Sequence, residues 1–185
     1  MRGLPGDPLD RDNPFSVRGY LSQAISLLGE LLRSAQPPRG RVKARRRRAK
    51  AEGGIVGLVR AVNELLGVSR LATAAALLEG AELLRAFTSS LIPDVYEHES
   101  DTLLRLVDAL ADGARDQVEA LVDDDPALER IWQVIDVILA IVRGALRDGL
   151  ALDPQGFDAI DDEEWTAWLR HHGASERWLA SGFMR

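Results

Sequence analysis

The sequence predicts an all-α protein, an irregular or orthogonal helical bundle of about five main helices followed by two short C-terminal helices. Three observations carry this. Ala and Leu dominate, while aromatic residues make up only 5%, which favours helix over sheet. Apolar residues recur at three- and four-residue spacing, and no alternating run is long enough to make a strand. Helix start and stop signals punctuate the chain at intervals that suit helices of ordinary length.

The elements follow in order. Residues 1–13, with Gly3, Pro5 and Gly6 at the outset, read as an irregular N-terminal arm, which leaves 14–185 as the helical domain. A first helix runs from Pro14 or Ser16 to Ala35, with Val17, Leu21, Ile25, Leu28 and Leu32 on one face, and Pro37-Pro38 ends it. A basic loop occupies 37–53. The second helix, 54–66, carries Ile55, Leu58, Val59, Val62, Leu65 and Leu66, and Gly67 can break it. Ser69 is placed to cap a third helix that reaches Leu91 before Pro93. Asp94 to Glu99 reads as an acidic turn, and Ser100 as the cap of a fourth helix lasting to Val122. Asp125 as N-cap and Pro126 at the first helical position open the fifth helix, which runs to Asp148. Arg143 and Arg147 suit its negative end, and Gly149 can terminate it. Short helices at 162–172 and 176–181 complete the chain, the first capped by Asp161 with Glu164 three residues on and closed by Gly173.

The stretch Val134 to Val142 is apolar all round except at Asp136. A membrane span needs about 20 apolar residues, and this run is bounded by Arg130 and Arg143. It reads instead as a central helix that neighbours must cover on several sides, the third and fourth helices being the expected ones.

With 185 residues, 46% hydrophobic and 28% charged, the composition is that of one globular domain. The chain has no cysteine, which excludes disulfides, thiolate metal sites and cysteine nucleophiles. Met1 to Pro5 lacks an apolar leader, so a cytoplasmic location is the default expectation. The net charge of −6 conceals an asymmetry. Residues 39–50 hold eight basic side chains; the remaining 15 Lys and Arg face 29 acids, leaving a body of net charge −14.

Few residues stand out as candidate sites. Asp136 is the ionisable group inside the apolar run, and a buried carboxylate must find a partner or take up a proton. It reads either as an acid facing a substrate pocket or as a helix residue paired across a gap in the bundle. Arg45, Arg46, Arg47 and Arg48 could contact nucleic acid, an anionic membrane or an acidic partner. They lack the interleaved aromatics of single-strand binders, and a solvated linker is the simpler reading. His171 and His172 are adjacent, so on a helix they point ~100° apart and cannot share one metal; His98 has no partner at ligand spacing. Trp165 and Trp168 share a helix face with Leu169 and are expected to dock the terminal helices on the bundle, together with Trp178 and Phe183.

The run Gly156-Phe157-Asp158-Ala159-Ile160-Asp161-Asp162-Glu163-Glu164-Trp165, continuing Trp168-Leu169-Arg170-His171-His172-Gly173-Ala174-Ser175, resembles a segment of large flavin-dependent NAD(P)-binding oxidoreductases of the amine-oxidase and phytoene-desaturase-like superfamily. Pro5-Gly6-Asp7-Pro8-Leu9-Asp10 with Asn13-Pro14-Phe15 is similar to the loop leading into the same helical region, so the resemblance covers nearly the whole chain. It implies the helical, substrate-side part of such an enzyme, with FAD bound by full-length relatives. No G-x-G-x-x-G is present to hold a pyrophosphate; the nearest glycine cluster, Gly53-Gly54-Ile55-Val56-Gly57, follows the basic run rather than a strand. The chain is therefore expected to be a fragment that binds no cofactor alone, its partner being the missing cofactor-binding domain, with relatives continuing past Arg185. The resemblance places no catalytic residue on any position.

Overall fold

A computed structural model describes residues 15–35, 54–68, 73–90, 93–121 and 126–179. These form an all-α bundle: α1 Val17–Ser34, α2 Gly54–Val68, α3 Ala74–Ser89, α4 Pro93–Leu121, α5 Pro126–Arg147, a 3₁₀ turn Gly156–Ile160, α6 Trp165–His171 and α7 Glu176–Leu179. Among the described residues no strand occurs, and no helix is long and apolar enough to cross a membrane.

The first helix begins as its sequence indicates. Ser16 is extended, and its hydroxyl accepts the Gly19 N–H at 3.0 Å, satisfying one of the orphan donors of the first turn. Val17, Leu21, Ile25, Leu28 and Leu32 are all buried. Two starts differ from expectation. The third helix opens at Ala74, where Thr73 Oγ1 accepts from Ala76 N at 3.2 Å; Ser69 lies outside the described residues. The fourth opens at Pro93 rather than Ser100, and the supposed acidic turn forms its first two turns. Proline loses nothing at the first helical position, and acidic residues suit the positive end of the helix dipole. Exposed Gly67 does not break α2, which continues to Val68.

α5 is the central element. Ile135, Ile138, Leu139, Ala140, Val142, Ala145 and Leu146 are buried, while Val134 and Ile141 are half-buried. Its principal neighbours are α4, α1 and α6; α3 packs on α1, α4 and α2 instead of covering α5 as expected. The helix ends as predicted. Gly149 takes a left-handed φ of 71°, and the Tyr96 hydroxyl of α4 donates to the Leu146 carbonyl, one of the last carbonyls that the helix itself cannot satisfy.

Beyond α5 the chain folds back on itself. The Gly156–Ile160 turn uses Asp161 as its C-cap, and Glu163 N–H donates to Ile160 O at 2.9 Å. Asp161 thus closes one element instead of opening the next. Glu164 caps α6, its carboxylate accepting from Thr166 N at 3.0 Å and Ala167 N at 2.7 Å. These bonds hold the Glu164 carboxyl below its usual range, led by its side-chain contact with Thr166. Gly173, at φ 91°, closes α6 as expected, with Ala174 N–H reaching back to Leu169 O at 2.9 Å.

Candidate functional site

A buried polar network forms where α6 meets α5, and a glycine makes this possible. A Cβ on Gly144 would lie 2.3 Å from Trp168 Cζ2 and 2.8 Å from His172 Cδ2. Both rings therefore rest directly on the α5 backbone. Trp168 is 1% exposed and His172 2%. Their rings meet edge to face at 4.7 Å, Trp165 stacks on Trp168 at 5.0 Å, and Phe157 stands edge-on to both indoles. Trp168 docks the terminal segment as expected, while Trp165 stays 41% exposed on the outside of the stack. The side chain of Trp178, and Phe183, lie outside what the structure describes.

One carboxylate oxygen organises the two buried rings. Asp148 Oδ2 accepts from Trp168 Nε1 at 2.7 Å and lies 3.0 Å from His172 Nε2. The indole nitrogen can only donate, and an ionised carboxylate can only accept. The network thus assigns the proton of neutral His172 to Nε2. Nδ1 is then the lone-pair nitrogen; it is buried and has no hydrogen-bond partner among the described residues. Burial pushes the imidazole pKa below its ordinary 6.5, overcoming the opposite pull of Asp148.

The backbone that follows is tied down from below. Arg143, 8% exposed, pairs with Asp108 of α4 at 2.7 Å through Nε and donates from Nη1 to the His172 carbonyl at 2.9 Å. Arg115 of α4 donates to the Gly173 carbonyl at 2.7 Å. Asp136 accepts the Ser175 N–H at 2.7 Å and lies 3.8 Å from Arg115. The acid singled out by the sequence is therefore paired across the α5–α7 gap, the plainer of its two readings. Arg45, Arg46, Arg47 and Arg48 lie outside the described residues, as does all of 37–53.

A shallow depression of about 450 Å³ opens beside this network, lined by Asp148, Asp153, Glu163, His171, His172 and neighbouring apolar groups. Its mixture of acids and imidazoles does not amount to a metal centre: among the described residues no group of three or more His, Asp or Glu could hold an ion. Nor is Asp148–His172 arranged as a base. The oriented pair has the form of a carboxylate–histidine couple, but the nitrogen left to accept a proton is sealed from solvent. What the arrangement does is hold α6 and the 172–175 backbone on α4 and α5.

Gly144, Asp148, Arg143 and His172 were not candidates from sequence. Arg143 read as a dipole partner and Asp148 as the end of a helix; His172 drew attention only as a metal ligand. No family model, curated protein or solved structure matches the chain.

Proposed function

We propose that this chain is the helical, substrate-side portion of a flavin-dependent NAD(P)-binding oxidoreductase, a fragment inactive without the cofactor-binding domain. The observation that carries this reading is the segment Gly156–Ser175. It bears the sequence resemblance, and it is also the segment held by Asp148, Arg143, Arg115 and Asp136. In enzymes of the kind it resembles, the flavin carries the redox chemistry and the protein orients the substrate. The strand, glycine turn and helix that hold a pyrophosphate would come from that cofactor-binding domain, since the described residues are helical.

The test is co-expression with a G-x-G-x-x-G polypeptide encoded beside this chain. Co-elution on gel filtration with bound flavin absorbance is the expected result, against a colourless preparation of this chain alone. Flavin co-purifying with the isolated chain, or no neighbouring polypeptide that captures it, would refute the reading.

A second reading has one observation behind it: eight basic groups within residues 39–50 on an otherwise acidic chain. A stand-alone interaction module would use them on nucleic acid, membrane or an acidic partner, and its binding would weaken steeply with salt as counterions are released.

A further inference from the structure

We propose that His172 makes the docking of α6 on α5 a proton-sensitive latch, closed when the imidazole is neutral and released when it is protonated. Hydrogen-bond valence sets the two states apart. Asp148 Oδ2 takes both the Trp168 Nε1–H and the His172 Nε2–H. A second proton on His172 must go to Nδ1, which is buried and faces no acceptor among the described residues. A buried cationic N–H without an acceptor is costly, and the ring cannot turn to find one. Gly144 lies against its Cδ2 edge, the Trp168 ring meets it edge to face at 4.7 Å, and its own carbonyl is held by Arg143.

The charged surroundings do not remove this cost. Asp148, on the turn after α5, favours the cation, but it already serves Nε2 and the indole. Arg143 and Arg147 on α5 and His171 on α6 add like charge, and the Arg pair is only partly balanced by Asp108 of α4. Tyr96 of α4 is neutral below pH 10 and donates to Leu146 O. Asp153 and Glu163 line the same depression as Asp148 and His172. The balance leaves the imidazole harder to protonate than in water, with burial as the leading cause.

The linkage has a definite sign. With the docked pKa below 6.5, the released form binds more protons. Docking is fully favoured above 6.5, and release gains up to about tenfold per pH unit below it, until the docked value is passed. Release of α6 would uncover Trp168, Leu169 and the Gly144 surface of α5 in one step, all three now buried.

The test is amide hydrogen exchange on the whole chain between about pH 7.5 and pH 5, corrected for the intrinsic rate at each pH. Exchange across 164–175 should rise as pH falls below 6.5 while the 135–142 core stays protected. His171→Gln should keep the response. His172→Gln, which can still offer an N–H to Asp148 but cannot titrate, should abolish it. Should that variant not fold, NMR titration of the wild-type chain decides. A His172 midpoint below 6.5 that coincides with loss of the Trp168 indole N–H signal supports the latch. A midpoint at or above 6.5, an indole signal that persists through it, or an unchanged acid response in a folded His172→Gln variant would overturn it.

Discussion

Replacing Gly144 by alanine sets two effects of opposite sign against each other. In the middle of a helix, Gly→Ala should stabilise by about 1 kcal/mol through propensity alone. Here the added Cβ would sit 2.3 and 2.4 Å from two ring carbons of Trp168 and 2.8 Å from His172 Cδ2. Carbon atoms rest about 3.5–4.0 Å apart, so the indole must retreat by more than about 1 Å. It has little freedom to do so, being 1% exposed, stacked on Trp165 and bonded to Asp148 at 2.7 Å. Overpacking of this kind costs about 1–3 kcal/mol, and loss of a bond to a charged acceptor about 1.5–3 kcal/mol. Set against the propensity gain, Gly144→Ala should destabilise by about 1.5–5 kcal/mol in urea denaturation followed by far-UV circular dichroism. In a Trp168→Ala background the two closest contacts are gone and His172 Cδ2 at 2.8 Å remains, so the same change should cost clearly less, a coupling that a double-mutant cycle reads directly. A Gly144→Ala protein as stable as the parent, or more so, would show that α6 does not rest on α5 as described.

Three further outcomes follow from the same geometry. Ile138→Ala, at a site 6% exposed in the central helix, should cost about 2–5 kcal/mol; a loss below about 0.5 kcal/mol would place α5 at the periphery. Tyr96→Phe removes the donor to Leu146 O and should cost about 1 kcal/mol at neutral pH. Burial raises the Tyr96 pKa above 10, with Asp148 adding to it, so its contribution is fully present below pH 10 and is lost as pH rises through the folded value; the variant should lack that alkaline decline, and an identical alkaline profile in parent and variant would count against the bond. Replacing Arg45, Arg46, Arg47 and Arg48 by Ser should change stability by less than about 0.5 kcal/mol, as ordinary surface changes do. Salt-sensitive micromolar binding of the parent to DNA, RNA or anionic vesicles, lost in that variant, would move the balance to the interaction module.

The helical architecture could be read from sequence because each helix carries its own evidence. Val17, Leu21, Ile25, Leu28 and Leu32 state their face by spacing, and all five are buried. Pro126 and Gly149 mark the two ends of α5, and the helix runs between them. Two of the misplaced starts share one cause. Ser100 and Asp161 both have the chemistry of an N-cap, but that chemistry acts only where the backbone is free to be extended. At Ser100 a helix begun at Pro93 was already in progress. At Asp161 the 3₁₀ turn had already claimed the residue, with φ −59° and ψ −25°. Capping preference is local, whereas the choice between competing caps is made by the elements on either side.

The polar network was harder to read because its members meet only through tertiary packing. Asp136 attracted notice because its sequence neighbours are apolar, yet burial depends on neighbours in space. α5 turns it toward a gap where Arg115 and the Ser175 N–H await it, 39 positions away in the case of Ser175. Asp148 attracted none, since an acid beside a glycine at a helix end has an adequate local explanation. Its role depends on Trp168 of α6 and His172, the C-cap four positions on, presenting two N–H groups to one oxygen. That pairing in turn depends on Gly144, four positions before Asp148 and so on the same face of α5. Two i, i+4 pairs, Gly144/Asp148 and Trp168/His172, thus interlock: the first supplies a bare backbone and an acceptor, the second two flat rings and two donors. Each pair is unremarkable alone, and only their contact gives His172 an environment in which a single added proton has no acceptor to meet.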